Sequence, residues 1–340
     1  MKILSMSPLR LGLGGGGTDI KEFYEKNEGV CINITISLYA RAFISKLKSK
    51  KIEIEILDLK KKWIGNSVQE LKKVNVFRLI YGPLALFENQ NNLKIKNLSI
   101  KTLIDVPPGS GMGSSSALVV ALLSVLYKIY NIKILKSDLA NQAYKAERVY
   151  SNIAGGKQDQ YAAVYGGLNF FTFKKNNKVL RQKMLINQEI ENFFHSNITI
   201  FCIKISRNGS DIINDQKKFI KKTSSKINSL NLIKKSAFEI KKYIENEKFN
   251  NISSIIRKSW KEKKKTSNLI SNRIIDNLEK NLFKIGANAL KVSGAGGGGF
   301  LLIVSKPDVK LKIMDYLKKT DTGDIYFFKL EKKGVQTFFT

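Results

Sequence analysis

The sequence predicts an α+β protein of about two domains, which meet near residue 175. The chain has 340 residues, of which 43% are hydrophobic, so it is long enough for two substantial cores. Strand-like and helix-like segments are interleaved without the regular rhythm of a doubly wound parallel sheet. The polar, lysine-rich tract 174–181 separates a strand-rich first half from a helix-rich second half. We therefore place the domains at 1–175 and 176–340.

The first half is predicted to be mainly β-structure around two apolar helices. Alternating β-branched residues predict strands at Lys2–Ser7, Gly29–Leu47, Ile52–Leu57, Leu93–Val106 and Leu168–Phe173. One helix follows the serines at 114–116. In the second helix, Ser137 and Asp138 are candidate N-caps, and an apolar stripe runs along Leu139, Ala143, Ala146, Val149 and Ile153.

The second half begins and ends with strands that enclose a set of amphipathic helices. The strands are expected at Ile198–Ile205, Leu290–Ser293, Gly299–Ser305 and Ile325–Leu330. The helices are expected near Asp215–Ser229, Leu232–Asn246, Ile252–Lys265, Asn272–Ile285 and Asp308–Lys318.

Charge is the unusual part of the composition. The chain carries 59 Lys and Arg against 28 Asp and Glu, a formal net charge of +31. This excess favours anionic substrates through long-range steering. The lysines are spread over the chain instead of forming one stripe, so we expect no nucleic-acid partner.

Cysteine, histidine and hydrophobic patterns argue for a soluble protein of a reducing cytoplasm. Cys31 and Cys202 lie in separate apolar segments, which favours buried thiols over a disulfide or a metal site. The single histidine, His195, has no Cys or His neighbour and supports neither a zinc site nor a Ser-His triad. The apolar run Ala117–Leu126 is shorter than the roughly 20 residues of a membrane span, so we expect no membrane partner.

A glycine-serine loop before the first apolar helix is the clearest functional signal. Its glycines let the backbone approach a ligand, and the helix behind it directs unpaired N–H groups and a positive dipole end toward the loop. Phosphate is the usual ligand. A serine hydroxyl here can cap the helix or help to hold Mg²⁺, and the sequence leaves both roles open. The loop consists of Pro108, Gly109, Ser110, Gly111, Met112, Gly113, Ser114, Ser115 and Ser116.

Other nucleotide-binding patterns fit poorly. No lysine precedes the serines, so the Walker pattern is absent. The GxGxxG pattern occurs at Gly12/Gly14/Gly17 and at Gly294/Gly296/Gly299. The first copy lacks the acidic residue that would bind a ribose, and the second runs into a strand, so a nicotinamide enzyme is not favoured.

The segment Pro8–Asp19 places a cation at the end of a strand and then a glycine loop that ends in a hydroxyl and a carboxylate. Such a loop suits a polyol, because Asp19 can accept hydrogen bonds from sugar hydroxyls. The alternative for Asp19 is to cap the next helix.

Two further acids are predicted to border the same pocket. Glu147 lies on the same helical face as Ala140, Ala143 and Tyr144, which points into the protein. An inward carboxylate needs either Mg²⁺ or a salt bridge to an arginine. Asp159 follows the glycines 155–156, which return the chain toward its neighbours. Beside an arginine, an ionised Asp159 can orient or deprotonate an attacking hydroxyl.

A last glycine loop, Lys291–Phe300, can pack against phosphate or the first loop, or can be a simple β-turn.

The order of these motifs resembles the GHMP kinases, a family that includes galactokinase, homoserine kinase and mevalonate kinase. The matching segments are Ser7–Asp19, Pro107–Ser116 and Lys291–Gly299. Within the family, Pro8-Leu9-Arg10 followed by Gly15-Gly16-Gly17-Thr18-Asp19 is similar to the D-glycero-D-manno-heptose 7-phosphate kinases, as are the segments at 154–161 and 260–264. Galactokinases have Glu and His where this chain has glycines.

The resemblance implies a fold and a set of roles. The fold is an N-terminal domain like the second domain of ribosomal protein S5 and a ferredoxin-like C-terminal domain, with the active site between them. Asp159 is the expected base and Arg10 the cation that assists it. Ser115 and Glu147 would hold Mg²⁺, and 109–114 would wrap the ATP phosphates. The sugar would be bound by Gly16, Gly17, Thr18, Asp19 and Gly156, with Gly296 near the phosphates.

The expected reaction is transfer of the ATP γ-phosphate to the anomeric hydroxyl of D-glycero-D-manno-heptose 7-phosphate, giving the 1,7-bisphosphate for nucleotide-activated heptose synthesis. Composition suggests Arg207 with Lys263 or Lys264 for the sugar's own phosphate. A kinase for another sugar such as fucose, and a catalytically silent sugar-binding homologue, are the alternatives. The oligomeric state stays open, with a homodimer among the options.

Overall fold

The computed structural model describes residues 2–205, 209–222 and 224–340. The strands are β1 (Lys2–Gly14), β2 (Gly29–Lys46), β3 (Ile52–Ile56), β4 (Lys61–Gly65), β5 (Leu98–Ile104), β6 (Leu168–Phe173), β7 (Val179–Met184), β8 (Ile198–Ile203), β9 (Ala289–Val292), β10 (Gly299–Val304), β11 (Gly323–Tyr326) and β12 (Gln336–Phe339). The helices are α1 (Lys21–Asn27), α2 (Val68–Leu71), α3 (Arg78–Asn91), α4 (Ser114–Ile129), α5 (Lys136–Lys145), α6 (Gln158–Tyr165), α7 (Gln188–Asn197), α8 (Gly209–Lys222), α9 (Ser224–Glu245), α10 (Ile252–Lys265), α11 (Arg273–Ile285) and α12 (Pro307–Lys319).

An eight-stranded sheet is built around the two longest strands, β1 and β2. Its main order is β12-β1-β2-β5-β3-β4, and the early part of β2 also pairs with β6, which in turn pairs with β7. Helix α4 packs against β1 and β2. Because α4 is apolar around most of its circumference, it is buried almost completely and fixes the loop that precedes it.

A second, four-stranded antiparallel sheet has the order β11-β8-β10-β9. In chain order this is 4-1-3-2, the arrangement of a ferredoxin-like domain, which confirms the predicted α+β fold. Its own apolar core includes Trp260 of α10, Leu282 of α11 and Leu317 of α12. Helix α9 instead contacts β1 and β2, so the helices of the second half reach both sheets.

The tract 174–181, predicted as a boundary, contains a hairpin. The Lys174 N–H donates to the Lys178 carbonyl at 2.8 Å, and β7 pairs with β6 along its whole length. Strand β12, which the sequence did not indicate, pairs with β1. The division into 1–175 and 176–340 stays a prediction, but it does not separate the two sheets, because the first sheet takes strands from both sides of it.

The second apolar helix differs from its prediction at both ends. Helix α5 begins after an extended Leu135, and no side chain caps it, so Ser137 and Asp138 lie inside the helix. A π-helical turn at Ala146–Tyr150 follows α5. Its wider turn breaks the 3.6-residue spacing, so Val149 is 69% exposed while Glu147 is fully buried. In the part of the chain that the structure describes, no helix is both long and apolar enough to cross a membrane.

Candidate active site

A cavity of about 320 Å³ lies where loops and helices of both halves converge. Its walls come from the loop after β1, the loop before α4, the loop before α6, the first half of α8, α10, and the loop after β9. The sequence predicted that three glycine segments would meet, and the structure brings all three to this cavity. The three segments contact one another directly.

The glycine-serine loop has the backbone of an anion-binding turn. Gly109, Gly111 and Gly113 have φ values of 75°, 76° and 71°, which side-chain-bearing residues rarely adopt. No side chain caps the first turn of α4, which begins at Ser114 and directs its N–H groups toward the loop. The residues of this loop that line the cavity are Gly109, Gly111, Gly113, Ser114, Ser115 and Ser116.

Three residues predicted to bind in this loop do not line the cavity. Met112 is fully buried in the core, and its carbonyl accepts the N–H of Arg10 at 3.1 Å. Ser110 is buried, with its hydroxyl 3.3 Å from that of Ser114 and its carbonyl bonded to the N–H of Phe300. Pro108 is exposed outside the cavity. Ser110 and Met112 therefore hold the loop against the rest of the protein, and the glycines on either side of them line the cavity.

The third glycine segment packs on this loop. A Cβ at Gly111 would overlap the Ser293 carbonyl, and one at Gly294 would overlap the Gly111 carbonyl, so the two backbones approach as closely as glycine allows. The segment is therefore more than a simple β-turn. Gly294 and Ala295 line the cavity. Gly296, which was predicted to line it, does not, and it packs instead against Ile270: a Cβ placed on Gly296 would lie 2.8 Å from the Ile270 side chain.

Arg10 joins the three segments and holds Asp159. Its Nε and Nη2 lie 2.7 and 2.6 Å from the same oxygen, Oδ1 of Asp159. Its Nη1 donates to the Gly111 carbonyl at 2.7 Å and to the Ser293 hydroxyl at 3.3 Å. Among the described residues no donor is bonded to the other oxygen, Oδ2, of Asp159. Removal from bulk water raises the pKa of Asp159, and the Arg10 guanidinium opposes this shift.

Glu147 is the most enclosed acid of the site. Its Oε1 accepts from the Ser115 hydroxyl at 2.7 Å, and its Oε2 accepts from Ser116 and Gln160, each at 2.6 Å. Arg148 lies 3.2 Å away as an ion-pair partner. Of the two partners that the sequence left open for Glu147, Mg²⁺ or an arginine, the arginine is present as this ion pair. Ser115 and Glu147 offer the hard oxygen atoms that Mg²⁺ prefers, and both face the cavity.

Asp19 is fixed by the loop that carries Asp159. The Gln158 N–H donates to its Oδ2 at 3.1 Å, and the Gln158 side-chain amide donates to its Oδ1 at 3.2 Å. No side chain caps α1, so the capping alternative for Asp19 is wrong. A Cβ at Gly156 would overlap the Asp19 carboxylate, so this close approach requires glycine. Gln158 was not among the predicted site residues, although its place between Gly156 and Asp159 was a signal.

Within the loop after β1, Gly16, Gly17 and Asp19 line the cavity but Thr18 does not. The Thr18 hydroxyl donates to the carbonyls of Gly15 and Val30 at 2.8 and 2.7 Å and is fully buried. Thr18 therefore ties the loop to β2, because a buried hydroxyl needs such partners.

Lysines 263 and 291 contribute positive charge to the cavity. Lys263 is bonded to the Gly294 carbonyl. Lys291, which was not among the predicted ligands, donates to the Gly12 carbonyl at 2.7 Å. Burial, with help from Lys263 and Arg10, lowers the pKa of Lys291 to about 7. Lys264 is absent from the cavity wall and pairs with Glu279 at 2.9 Å, and Arg207 lies outside the described residues.

Comparison with known proteins agrees with this geometry. Residues 78–167 match the family model of the GHMP kinases N-terminal domain. The D-glycero-alpha-D-manno-heptose 7-phosphate kinase of Campylobacter jejuni is 32% identical over 99% of this chain and 98% of its own length. The L-fucokinase/L-fucose-1-P guanylyltransferase of Bacteroides fragilis is 23% identical over 92% of this chain but only 35% of its own length.

Solved structures give the same assignment. A D-glycero-D-manno-heptose 1-phosphate kinase from Bacteroides thetaiotaomicron superimposes with a TM-score of 0.83 at 27% identity, covering 99% of both chains. A putative sugar kinase from Campylobacter jejuni gives a TM-score of 0.78 at 31% identity over 99% of this chain and 98% of that one. The full-length similarity, together with the three converging glycine segments, establishes that this chain belongs to the GHMP kinase family of ATP-dependent phosphotransferases.

Proposed function

We propose that the protein transfers the γ-phosphate of ATP to the anomeric hydroxyl of D-glycero-D-manno-heptose 7-phosphate, giving the 1,7-bisphosphate. The observation that supports this most is the Arg10–Asp159 pair, which stands between a phosphate-type loop and a polyol-type loop. Two proteins that are similar to this chain over its full length, from Campylobacter jejuni and Bacteroides thetaiotaomicron, carry heptose phosphate kinase names. The product would serve the synthesis of nucleotide-activated heptose.

Asp159 acts as the base in this proposal. Its Oδ1 is engaged by Arg10, and its Oδ2 accepts the proton of the attacking hydroxyl. Arg10 stabilises the charge that develops as the hydroxyl loses its proton. Because Arg10 also bonds the Gly111 carbonyl, it keeps base and phosphate loop in one fixed arrangement.

The glycine-serine loop and α4 bind the ATP phosphates. Backbone N–H groups and the helix dipole favour negative charge at this position. The contact with Gly294 closes the loop from the other half of the chain. Phosphoryl transfer depends mainly on positioning and charge stabilisation, and these groups supply both.

Ser115 and Glu147 would hold Mg²⁺. Magnesium sites in kinases use one or two protein ligands and complete their coordination with phosphate oxygens and water, and a hydroxyl beside a carboxylate fits that pattern. When bound, the ion would neutralise phosphate charge. Ser116, Gln160 and Arg148 keep the Glu147 carboxylate in place for this purpose.

The sugar hydroxyls are bound by Asp19, whose carboxylate is aligned by Gln158 beside Gly16 and Gly17. An ionised carboxylate can accept several hydroxyl donors at once.

We also propose a cytoplasmic location, where ATP is available. Cys31 and Cys202 are free, buried thiols, as suits a reducing compartment.

The test is incubation of the protein with Mg-ATP and a panel of acceptors, followed by phosphorus NMR. The panel contains the heptose 7-phosphate, the heptose 1-phosphate, the free heptose and fucose. We expect a new anomeric phosphate signal with the 7-phosphate and the highest kcat/KM for that acceptor. If fucose or the 1-phosphate were turned over preferentially, that acceptor would be the substrate in place of the 7-phosphate. ATP binding without any turnover would favour a silent homologue.

A further inference from the structure

We propose that a second cavity, remote from the active site, binds a small anion that carries a diphosphate group. This cavity has a volume of about 390 Å³, and we call it the basic cavity because lysine and arginine make up most of its wall. The inference goes beyond the proposed function and does not rest on it. The basic residues of the wall are Lys136, Arg181, Lys183, Lys332 and Lys333.

The basic cavity lies at the opposite end of helix α6 from the active site. Asp159, in the first turn of α6, lines the active-site cavity, and Tyr165, its last residue, lines the basic cavity. These two positions are separated by about 9 Å along the helix axis. Among the residues that the structure describes, none lines both cavities. A ligand of the basic cavity would therefore have a site of its own.

Arg181 is held in place from one side, and the outer edge of its guanidinium is open. Its Nε donates to Oδ1 of Asn169 at 2.7 Å, and its Cζ lies 4.4 Å from the centroid of the Tyr165 ring. Asn169 is fully buried and donates through Nδ2 to the carbonyls of Gly166 and Gly167. In the part of the chain that the structure describes, no acceptor is bonded to Nη1 or Nη2 of Arg181. These two nitrogens can bind a pair of oxygens, the geometry in which arginine recognises phosphate.

The surroundings of Arg181 strengthen its attraction for an anion. Burial lowers the pKa of the Arg181 guanidinium, which shows that the charge is partly removed from water. The group stays protonated, because the pKa of arginine lies far above neutrality. A charge that is partly removed from water gains more from an anion than an exposed charge does.

The two lysines of the C-terminal segment stand on backbone that is fixed against α6. The N–H of Val335 donates to the carbonyl of Ala163 at 2.9 Å. A Cβ on Gly334 would overlap the Val164 carbonyl, so the segment approaches α6 as closely as glycine allows. The main chain therefore sets the position of both lysines relative to Tyr165 at the end of that helix.

Nearby acids leave most of the charge of the basic cavity uncompensated. Lys332 pairs with Glu191 at 2.6 Å. Glu331 accepts the Tyr39 hydroxyl at 2.5 Å, and neither Glu331 nor Asp138 lines the cavity. A monophosphate has too few oxygens and too little charge to engage the remaining cations together, whereas a diphosphate has enough of both. Within the described ranges, no ion pair involves Lys136, Arg181, Lys183 or Lys333.

The wall recognises phosphate oxygens and not an aromatic base. Tyr165 is the aromatic residue of this wall among the described residues, and the Arg181 guanidinium already covers its ring. The same diphosphate chemistry is offered by free pyrophosphate and by an organic molecule that carries a diphosphate. The choice of ligands in the experiment separates these two sources.

The turn before β7 offers a matched control. Lys175 and Lys178 lie in this turn and are absent from the wall of the basic cavity. The double variant Arg181→Gln/Lys183→Gln and the double variant Lys175→Gln/Lys178→Gln each remove two positive charges from the same hairpin. Only the first removes them from the cavity. Arg181→Lys keeps the charge but removes the two-nitrogen edge.

The experiment is calorimetric titration of the full chain with pyrophosphate, uridine diphosphate and inorganic phosphate. A saturating, non-hydrolysable ATP analogue occupies the phosphate loop of the active site, and the buffer contains no divalent metal. We expect pyrophosphate to bind about tenfold or more tightly than phosphate. Arg181→Gln/Lys183→Gln should raise the Kd of pyrophosphate about 10- to 100-fold, the loss typical of charged hydrogen bonds. Arg181→Lys should raise it several-fold, and the control variant should stay within about threefold of the unaltered protein.

Tighter binding of uridine diphosphate than of pyrophosphate would assign the site to an organic diphosphate, and the reverse order would assign it to the free anion. Equal losses in the two double variants would overturn the proposal, because they would show that only the overall positive charge attracts the anion. No binding of pyrophosphate at millimolar concentration would overturn it too, as would equal affinity for phosphate and pyrophosphate. Tighter binding of single-stranded RNA, lost in Arg181→Gln/Lys183→Gln, would replace the small anion by a nucleic acid.

A second variant keeps the test valid if the loss of Arg181 disturbs the fold. The Lys183 side chain is exposed, so Lys183→Gln alone should keep the unfolding temperature of the unaltered protein. This variant should still raise the Kd of pyrophosphate several-fold, and an unchanged Kd would remove Lys183 from the site. Sugar kinase activity is not part of the readout, so failure of the proposed function would leave this result intact.

Discussion

Asp159 and Glu147 are two carboxylates of one cavity with opposite surroundings. Glu147 is held through both oxygens by three donors and an arginine, and its side chain is 1% exposed. Asp159 is held through one oxygen by a single arginine, and its side chain is 22% exposed. The first carboxylate has its lone pairs largely engaged, and the second keeps an oxygen available.

The difference indicates how one site separates two uses of the same group. A carboxylate whose two oxygens are both engaged by donors is poorly placed to take a proton from a substrate, because neither oxygen is open to it. A carboxylate with one open oxygen can accept a proton from a substrate. The arrangement therefore supports Asp159 as the base and Glu147 as a fixed negative charge near Mg²⁺. Four predictions test this contrast, starting with the largest effect.

Replacing Asp159 by Asn removes the proposed base while keeping the shape of the side chain. We expect kcat to fall about 10²- to 10⁴-fold, the usual contribution of a general base. The affinity for ATP, measured by calorimetry, should change little, since the ATP loop keeps its own contacts. Asp105→Asn serves as the control, because Asp105 pairs with Arg41 away from the cavity. Near-normal turnover by Asp159→Asn would remove Asp159 from this role.

Replacing Arg10 by Gln should reduce the rate and also shift its pH dependence. Asp159 must be ionised to act, so kcat/KM should decline as the pH falls through its pKa. Removal from bulk water raises that pKa above the usual 3.8, and Arg10 opposes the increase. Loss of Arg10 should therefore move the acid limb to higher pH, with a rate loss of about 10²-fold. Rate profiles of both proteins with the same acceptor measure this shift, and coincident acid limbs would contradict it.

Replacing Glu147 by Gln should alter metal dependence more than proton transfer. We expect the Mg²⁺ concentration for half-maximal activity to rise about 10- to 100-fold, with the acid limb of kcat/KM unchanged. The amide would also face the donors of Ser116 and Gln160, so the free energy of unfolding should fall by about 1–3 kcal/mol. Mg²⁺ titration and denaturant unfolding measure the two effects. An unaltered Mg²⁺ requirement would argue that Glu147 only pairs with Arg148.

The smallest effects should come from the two serines that contact Glu147. Ser115 is partly exposed and bonds Oε1 of Glu147, whereas Ser116 is buried, bonds Oε2 and also contacts Gln160. We expect Ser115→Ala to change the Mg²⁺ dependence several-fold with little loss of stability. Ser116→Ala should instead lower the free energy of unfolding by about 1 kcal/mol. The reverse result would assign Mg²⁺ binding to the Ser116 hydroxyl and the stabilising contact to the Ser115 hydroxyl.

Several features of the site followed from local sequence because they depend on local backbone chemistry. A glycine-rich loop before an apolar helix gives an anion-binding turn in almost any surroundings, and Gly109, Gly111 and Gly113 have the left-handed conformation that such a turn uses. The same sequence could not distinguish Gly294 from Gly296 as a cavity residue. That difference depends on Gly111 and Ile270, which approach from remote parts of the chain.

Periodicity gave a correct account of the apolar helix α4 but failed after α5. The π-helical turn at 146–150 changes which residues face inward, and hydrophobic spacing carries no signal of it. Strand β12 was missed for a related reason. It is a short edge strand, and its pairing with β1 joins residues that are 330 or more positions apart.

The sequence by itself determined the family, the three glycine segments and the acids Asp159 and Glu147, because these are choices of residue type that the chemistry requires. Only the tertiary structure decided how the surroundings of the two acids differ and which of two adjacent lysines lines the cavity. Lys263 and Lys264 are chemically identical neighbours, and Asp159 and Glu147 carry the same group. Partners brought together from distant segments, Gly294 for Lys263 and Arg10 for Asp159, give each its separate place.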